Sequence, residues 1–169
     1  MRIALFAVGG LVALVVILAL VGWSLPVKHT VTREATFRIS ADRLFALIAT
    51  PLDFPKWRTG VKSVDMLPTG GGLPKWTEVS SNGTITFAVT QSVPGVELTT
   101  VIADKSLPFG GSWTYVLAPA GPDSTTLRIT ENGEVYNVIF RFMSRFVFGQ
   151  ATTIEKYLQD VRKRLTATA

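Results

Sequence analysis

The feature that most constrains how this chain can fold is an apolar stripe near its C-terminus, between residues 138 and 165. Apolar side chains recur there at steps of three and four residues, which places them on one broad face of a long helix. The stripe consists of Ile139, Met143, Phe146, Ile154, Tyr157, Val161 and Leu165. Asn137 precedes it and is a typical N-cap, because its side chain can accept hydrogen bonds from free backbone N–H groups. Such a helix requires a curved apolar surface to pack against, and we expect the rest of the chain to supply it.

The central part of the chain carries runs of β-branched and aromatic residues that are separated by turn residues. Residues 30–39 predict a first strand, and two short helices follow it, the first beginning after Ser40. Six further strands are predicted between residues 61 and 131, with Asn82-Gly83 as a hairpin turn between two of them. The predicted fold class is therefore α+β, a curved antiparallel sheet of about seven strands wrapped around the long C-terminal helix.

The N-terminus differs from this pattern, because residues 3–23 form an apolar run without a charge. As a helix the run spans ~32 Å, which matches the hydrocarbon thickness of a bilayer. We predict an uncleaved transmembrane anchor at 1–25, in contact with the bilayer through residues 3–23, and a domain at 26–169; a cleaved signal peptide is the alternative. Positive charges flank the run on both sides, so they do not decide the orientation, but the short basic start favours an extracytoplasmic domain.

Composition excludes several classes of function. The net charge of +5 is modest and spread along the chain, which argues against a nucleic-acid surface. The chain has no cysteine and one histidine, His29, so thiol nucleophiles, thiolate metal sites and a Ser–His–Asp triad do not fit it. We predict no metal and no cofactor, and the sequence does not indicate protein partners.

Three stretches of the sequence resemble a known family. They are I-S-A-D-R-L-F-A-L-I at 39–48 with Pro55-Lys56-Trp57 after it, F-G-G-S-W-T-Y at 109–115, and E-N-G-E-V at 131–135. Together they resemble the START-like, helix-grip proteins of the SRPBCC superfamily, and most of all its small bacterial polyketide cyclase/dehydrase-like members. The resemblance covers the chain after about residue 28. It implies a cavity between sheet and C-terminal helix that binds hydrophobic molecules such as lipids, quinones or polyketides, and that a minority of members use for catalysis.

Strand parity selects the side chains of the sheet that would line such a cavity, the C-terminal helix adds Phe142 and Phe146, and Phe54 and Trp57 would cover its mouth. The predicted ligand-binding residues are Phe54, Trp57, Trp76, Phe87, Trp113, Tyr115, Phe142 and Phe146, and for each of them simple core packing is the alternative. Glu78, Glu131 and Tyr115 are the catalytic candidates, because a carboxyl group in an apolar pocket has a raised pKa and can transfer protons. A solvated sheet edge is the alternative position for both glutamates.

Three functions remain open on this basis. The first is a membrane-tethered binding or transfer domain for a hydrophobic small molecule. The second is an enzyme of the cyclase or hydrolase type that uses an interior carboxylate or Tyr115, and the third is a non-catalytic envelope scaffold whose interior is filled by its own side chains. We favour the first, because no second polar group is paired in the sequence with either glutamate.

Overall fold

The structure is a computed structural model that describes residues 2–81 and 83–167, with side chains described except at 2–5, 7 and 148. Its helices are α1 (Arg2–Ser24), α2 (Ala41–Ile48), a 3₁₀ helix (Pro51–Lys56), α3 (Val138–Met143), a π-helical turn (Ser144–Phe148) and α4 (Thr152–Thr166). Its strands are β1 (Lys28–Phe37), β2 (Val61–Leu67), β3 (Lys75–Ser80), β4 (Gly83–Val93), β5 (Glu97–Ile102), β6 (Phe109–Pro119) and β7 (Thr125–Val135).

The seven strands form one antiparallel sheet in the order β1-β7-β6-β5-β4-β3-β2. Strands β2 to β7 pair with their neighbours in sequence, as short turns require, and β1 adds to the outer edge of β7. The hairpin between β3 and β4 lies where it was predicted, with Ser80 opposite Gly83, while Asn82 lies outside the described residues. The predicted α+β class and its seven-stranded antiparallel sheet with a C-terminal helix are confirmed.

The hydrophobic core lies between the concave face of the sheet and α4. Helix α4 buries one stripe at helical spacing, which consists of Ile154, Tyr157, Leu158 and Val161. From the sheet, Leu98, Leu117, Leu127 and Ile129 join the same core cluster. Strand parity predicted this side of β6 and β7 as the helix-facing one, and burying each such side chain stabilises the fold by ~1.5–3 kcal/mol.

The predicted single helix over residues 138–165 is wrong, because the segment is broken in the middle. Helix α3 ends at Met143, a π-helical turn follows, and Gly149 adopts φ +76° before α4 begins. A left-handed φ of this kind suits glycine, which has no Cβ to clash with the backbone, and it ends the helix. Phe142 and Phe146 therefore do not join the core cluster: no residue of α3 is buried, and Phe146 is 59% exposed.

Helix α1 directs large apolar side chains outward along its length, from Phe6 to Trp23. It is joined to the domain at its C-terminal end, where Gly22 lies so close to Val138 that a side chain on Gly22 would collide with the Val138 carbonyl oxygen. In α1, side chains are described at Phe6 and from Val8 onward. Among the residues whose side chains are described, no helix is long and apolar enough to cross a membrane.

Candidate functional site

Seven aromatic side chains occupy the space between the sheet and α4, and we call them the interior cluster. They are Phe54, Trp57, Trp76, Phe87, Trp113, Tyr115 and Tyr157. Their ring centroids lie 5.4 to 6.1 Å apart in one connected series, mostly edge to face or tilted. Six of the seven were predicted from the sequence as ligand-binding residues. Tyr157 was predicted only as part of the helical stripe.

The 3₁₀ helix brings Phe54 and Trp57 to the cluster. The next residue but one, Thr59, ties this segment to α4 by donating its backbone N–H and its hydroxyl to the buried Asp160 carboxylate, at 2.7 and 2.6 Å. Hydrogen bonds to a charged acceptor are stronger than neutral ones. This attachment holds the Trp57 ring against Tyr157 of α4.

An ion pair lies against the cluster. Arg58 Nη1 is 2.6 Å from Glu78 Oε2, and the two side chains are 21% and 7% exposed. The guanidinium also lies over the ring faces of Phe54 and Tyr157, at 4.8 and 5.3 Å, in favourable cation–π geometry. Of the two positions considered for Glu78, a cavity wall or a solvated sheet edge, the structure has the buried one, and there the charge of Glu78 is neutralised by Arg58.

Two phenol groups, those of Tyr115 and Tyr157, share this interior. Burial raises the pKa of Tyr115 to about 12 and raises the pKa of Tyr157 well above its ordinary value, because a charged phenolate is poorly solvated there. Both hydroxyls thus stay protonated at physiological pH. They can donate hydrogen bonds, but they do not act as bases.

Two donors of the interior cluster have no acceptor among the described residues. They are the indole N–H groups of Trp57 and Trp76, both on buried side chains. Buried polar groups in native proteins almost always have a hydrogen-bond partner, and each one left without costs ~1–3 kcal/mol. The interior is therefore apolar in its walls and rich in donors.

Glu131 lies on β7, directly opposite Trp113 of the interior cluster on β6. Its Oε1 is 3.6 Å from Nε2 of His29, and burial raises the pKa of Glu131 to about 6 while it lowers the pKa of His29. His29, which follows the apolar run closely in sequence, is largely enclosed and packs on Gly133. Because β7 is four strands from β3, Glu131 and Glu78 are separated by ~19 Å along the sheet and do not form a catalytic pair.

Two depressions on the outer flanks of α4 do not resemble a site for an apolar molecule. One, of about 290 Å³, is lined by Arg33, Glu34, Ala35, Glu155, Leu158, Gln159 and Arg162. The other, of about 340 Å³, is lined by Thr59, Thr152, Glu155, Lys156, Gln159, Asp160 and Lys163. Both linings are mainly charged or polar, whereas pockets for small apolar ligands are mainly apolar. Within residues 2–81 and 83–167, no three acidic or histidine side chains are grouped closely enough to hold a metal ion.

Comparison with known proteins agrees with this geometry. Residues 28–169 match the family described as polyketide cyclase / dehydrase and lipid transport. A START superfamily protein from Mycobacterium smegmatis is 18% identical with a TM-score of 0.66, covering 83% of this chain and 99% of that one. A conserved protein from Geobacillus kaustophilus is 16% identical (TM-score 0.69; 83% and 97% covered). Norcoclaurine synthase from Thalictrum flavum is 12% identical (TM-score 0.64; 83% and 87% covered). These likenesses show the START-like fold, and no curated protein matches the chain.

Proposed function

The chain belongs to the polyketide cyclase/dehydrase and lipid transport family, and from this we propose that its domain binds a hydrophobic small molecule between the sheet and α4. The observation that carries the proposal is the pair of buried indole N–H donors without acceptors, on Trp57 and Trp76. A bound molecule that brings its own acceptor would satisfy these donors. The aromatic rings around them would cover the rest of its surface.

From this combination we infer the chemistry of the ligand. Its body is apolar, because rings form the walls of the interior. It also carries at least one carbonyl or hydroxyl oxygen, as a quinone, a fatty acid or a polyketide does, and not hydrocarbon alone. Since the rings of the interior cluster touch one another, the ligand enters by separating side chains that close the interior in its absence.

We also propose that α1 tethers the domain to a membrane as a single-pass helix. Support comes from the uncharged run at residues 3–23 and from the apolar side chains that α1 exposes. A helix that is apolar on all sides is stable in lipid or in a protein core but not in water. Counted over all 23 residues, including those at 2–5 and 7 whose side chains are not described, α1 measures ~34 Å, which is comparable to the thickness of the hydrocarbon layer. The short basic start favours an extracytoplasmic domain.

An enzyme of the cyclase or hydrolase type is the second candidate, and Glu131 is the residue that favours it. A carboxyl group with a pKa of about 6 can exchange protons near neutral pH. Two observations argue against an enzyme. Glu78 forms an ion pair with Arg58, and the phenol groups of Tyr115 and Tyr157 are not bases. Binding without chemistry therefore fits the interior better.

Native mass spectrometry of the detergent-extracted full chain tests the binding function. We expect a co-purifying lipid, quinone or related molecule of one or a few discrete masses, released on denaturation. A protein that carries no such mass, and that takes up neither a long-chain quinone nor a fatty acid when these are added, would support the scaffold alternative. A quinone or fatty acid that is chemically altered after incubation would support the enzyme.

A further inference from the structure

Outside the ligand site, the molecule presents a second apolar surface on α3 and the π-helical turn, which we call the α3–π face. It consists of Phe140, Phe146 and Val147, whose side chains are between 49% and 59% exposed. No residue of α3 is buried, so the helix contributes little to the core. Large apolar side chains that are exposed together, and not singly, mark a surface that contacts another apolar body.

The α3–π face is held beside the C-terminal end of α1. Gly22 packs directly on the backbone of Val138, an approach that only glycine allows. Arg141 Nη1 donates to the Leu25 carbonyl oxygen at 3.0 Å, and Arg141 Nη2 donates to the Tyr136 carbonyl oxygen at 3.2 Å. These contacts fix α3 at the level where α1 ends and the domain begins.

We propose that the α3–π face inserts into the interfacial layer of the bilayer leaflet from which α1 emerges, so that the protein contacts the membrane at two places. The proposal rests on the membrane tether proposed for α1. Trp23, exposed at the end of α1, belongs at the depth of the membrane interface, where tryptophan is enriched. Arg145 is exposed in the same π-helical turn as Phe146 and Val147, and an interfacial helix combines such cations with apolar side chains.

A bilayer covers this surface better than a protein partner does. Helix α1, which contacts α3, also exposes large apolar side chains, such as Ile17 and Leu20. One apolar medium covers both surfaces at once, whereas a partner protein would have to follow α1 over its whole length. The same contact brings the end of the sheet formed by Lys28 and Glu134 to the lipid headgroups, so a ligand leaving the membrane meets the domain at that end.

The chain contains no cysteine, so single cysteines can report the environment of chosen positions. Full-length protein is reconstituted in phosphatidylcholine/phosphatidylglycerol vesicles and labelled with nitrobenzoxadiazole at Phe146→Cys or Val147→Cys. Ile17→Cys reports on α1. Val96→Cys, exposed in the turn between β4 and β5 at the opposite end of the sheet, is the water-facing control. Lipids with a spin label near the top of the acyl chain serve as quenchers.

We expect labels at 146 and 147 to emit at shorter wavelength and to be quenched at least twofold more than the label at 96. Quenching at 17 without quenching at 146 and 147 would overturn this proposal and leave the tether standing. Shorter-wavelength emission at 146 and 147 without quenching would mean that protein covers the face, which also overturns it. No quenching at 17 would refute the tether itself. Quenching at 146 and 147 in that case would still establish the membrane contact of the face.

Discussion

Trp57 and Trp76 each place an indole N–H group where no described residue accepts a hydrogen bond. Strand parity predicted the Trp76 ring on the inward face, and the place of Trp57 between the first two strands predicted its ring at the mouth of the interior. The unmet hydrogen bonds were not predictable, since they depend on the distances between side chains from different elements. Arg58 shows the same limit. Its pairing with Glu78 joins two positions that are 20 residues apart and that no periodicity relates.

We predict that Trp57→Phe and Trp76→Phe weaken the binding of a long-chain quinone about fivefold each. Phenylalanine keeps an aromatic ring in place but removes a donor, and a typical net hydrogen bond contributes ~1 kcal/mol. Binding is followed by the quenching of tryptophan emission in detergent. Trp23→Phe, at an exposed position of α1, is the matched control and should leave the affinity unchanged. Equal affinities for all three variants would show that the indole N–H groups do not contact the ligand.

Glu131 makes stability depend on pH in a defined direction. Burial raises its pKa from 4.5 to about 6, so between these values the folded chain binds more protons than the unfolded chain. Stability attributable to this group is therefore complete below about pH 4.5 and is lost as the pH rises through about 6, by about 2 kcal/mol in all. His29, which faces Glu131 at 3.6 Å, is the titratable neighbour that shares this environment.

We expect Glu131→Gln to be more stable than the native chain at pH 7.5, by up to ~2 kcal/mol, and to match it near pH 4.5. Thermal unfolding in detergent between these pH values measures the difference. His29 is present in both proteins, so its own titration largely cancels. Asp123→Asn, at an exposed carboxylate, is the control. Its stability relative to the native chain should not change in this way between pH 4.5 and pH 7.5. A gap between Glu131→Gln and the native chain that stays constant with pH would contradict the raised pKa.

At the scale of elements, the sheet was predictable and the last helix was not. Turn residues such as Gly83 bound each strand, and alternation within β6 and β7 assigns their faces, so both signals are local. The apolar stripe, by contrast, continues at helical spacing across Gly149, and nothing in the stripe marks a change of direction. The helix ends at Gly149, whose φ is +76°, and α3, on the N-terminal side of this break, docks onto α1 through Gly22 and Val138.

We predict that Gly149→Ala lowers the free energy of unfolding by ~1–3 kcal/mol, the usual cost of a strained backbone conformation. Gly149 adopts φ +76°, and an added Cβ would lie 3.1 Å from Thr152 Oγ1. Urea unfolding in detergent measures the loss. Gly10→Ala, within α1 and with open space around the Cβ position, should cost nothing. If Gly149→Ala were as stable as the native chain, the segment could run as the single helix that periodicity predicts.

For the whole molecule, the decisive question is whether α1 carries the domain on a membrane. The Leu, Ile, Val and Phe side chains of α1 contribute ~−4 to −8 kcal/mol in total to the free energy of membrane insertion. Each of them contributes ~−0.3 to −0.6 kcal/mol at the centre of a bilayer helix. A lysine at the same depth costs ~2.5–3.5 kcal/mol. Two lysines therefore suffice to cancel the gain, while one does not.

We accordingly expect the native chain to stay in the membrane pellet after carbonate washing and the double variant Leu14→Lys, Ile17→Lys to move to the supernatant. Leu52→Lys, also exposed but on the 3₁₀ helix of the domain, should remain in the pellet. If α1 only rested against a protein partner, carbonate would release the native chain as well. If the domain were held mainly by the α3–π face, the double lysine variant would stay bound, and adding Phe146→Ser and Val147→Ser would then release it. The pattern of release thus assigns the attachment to α1, to the α3–π face or to neither.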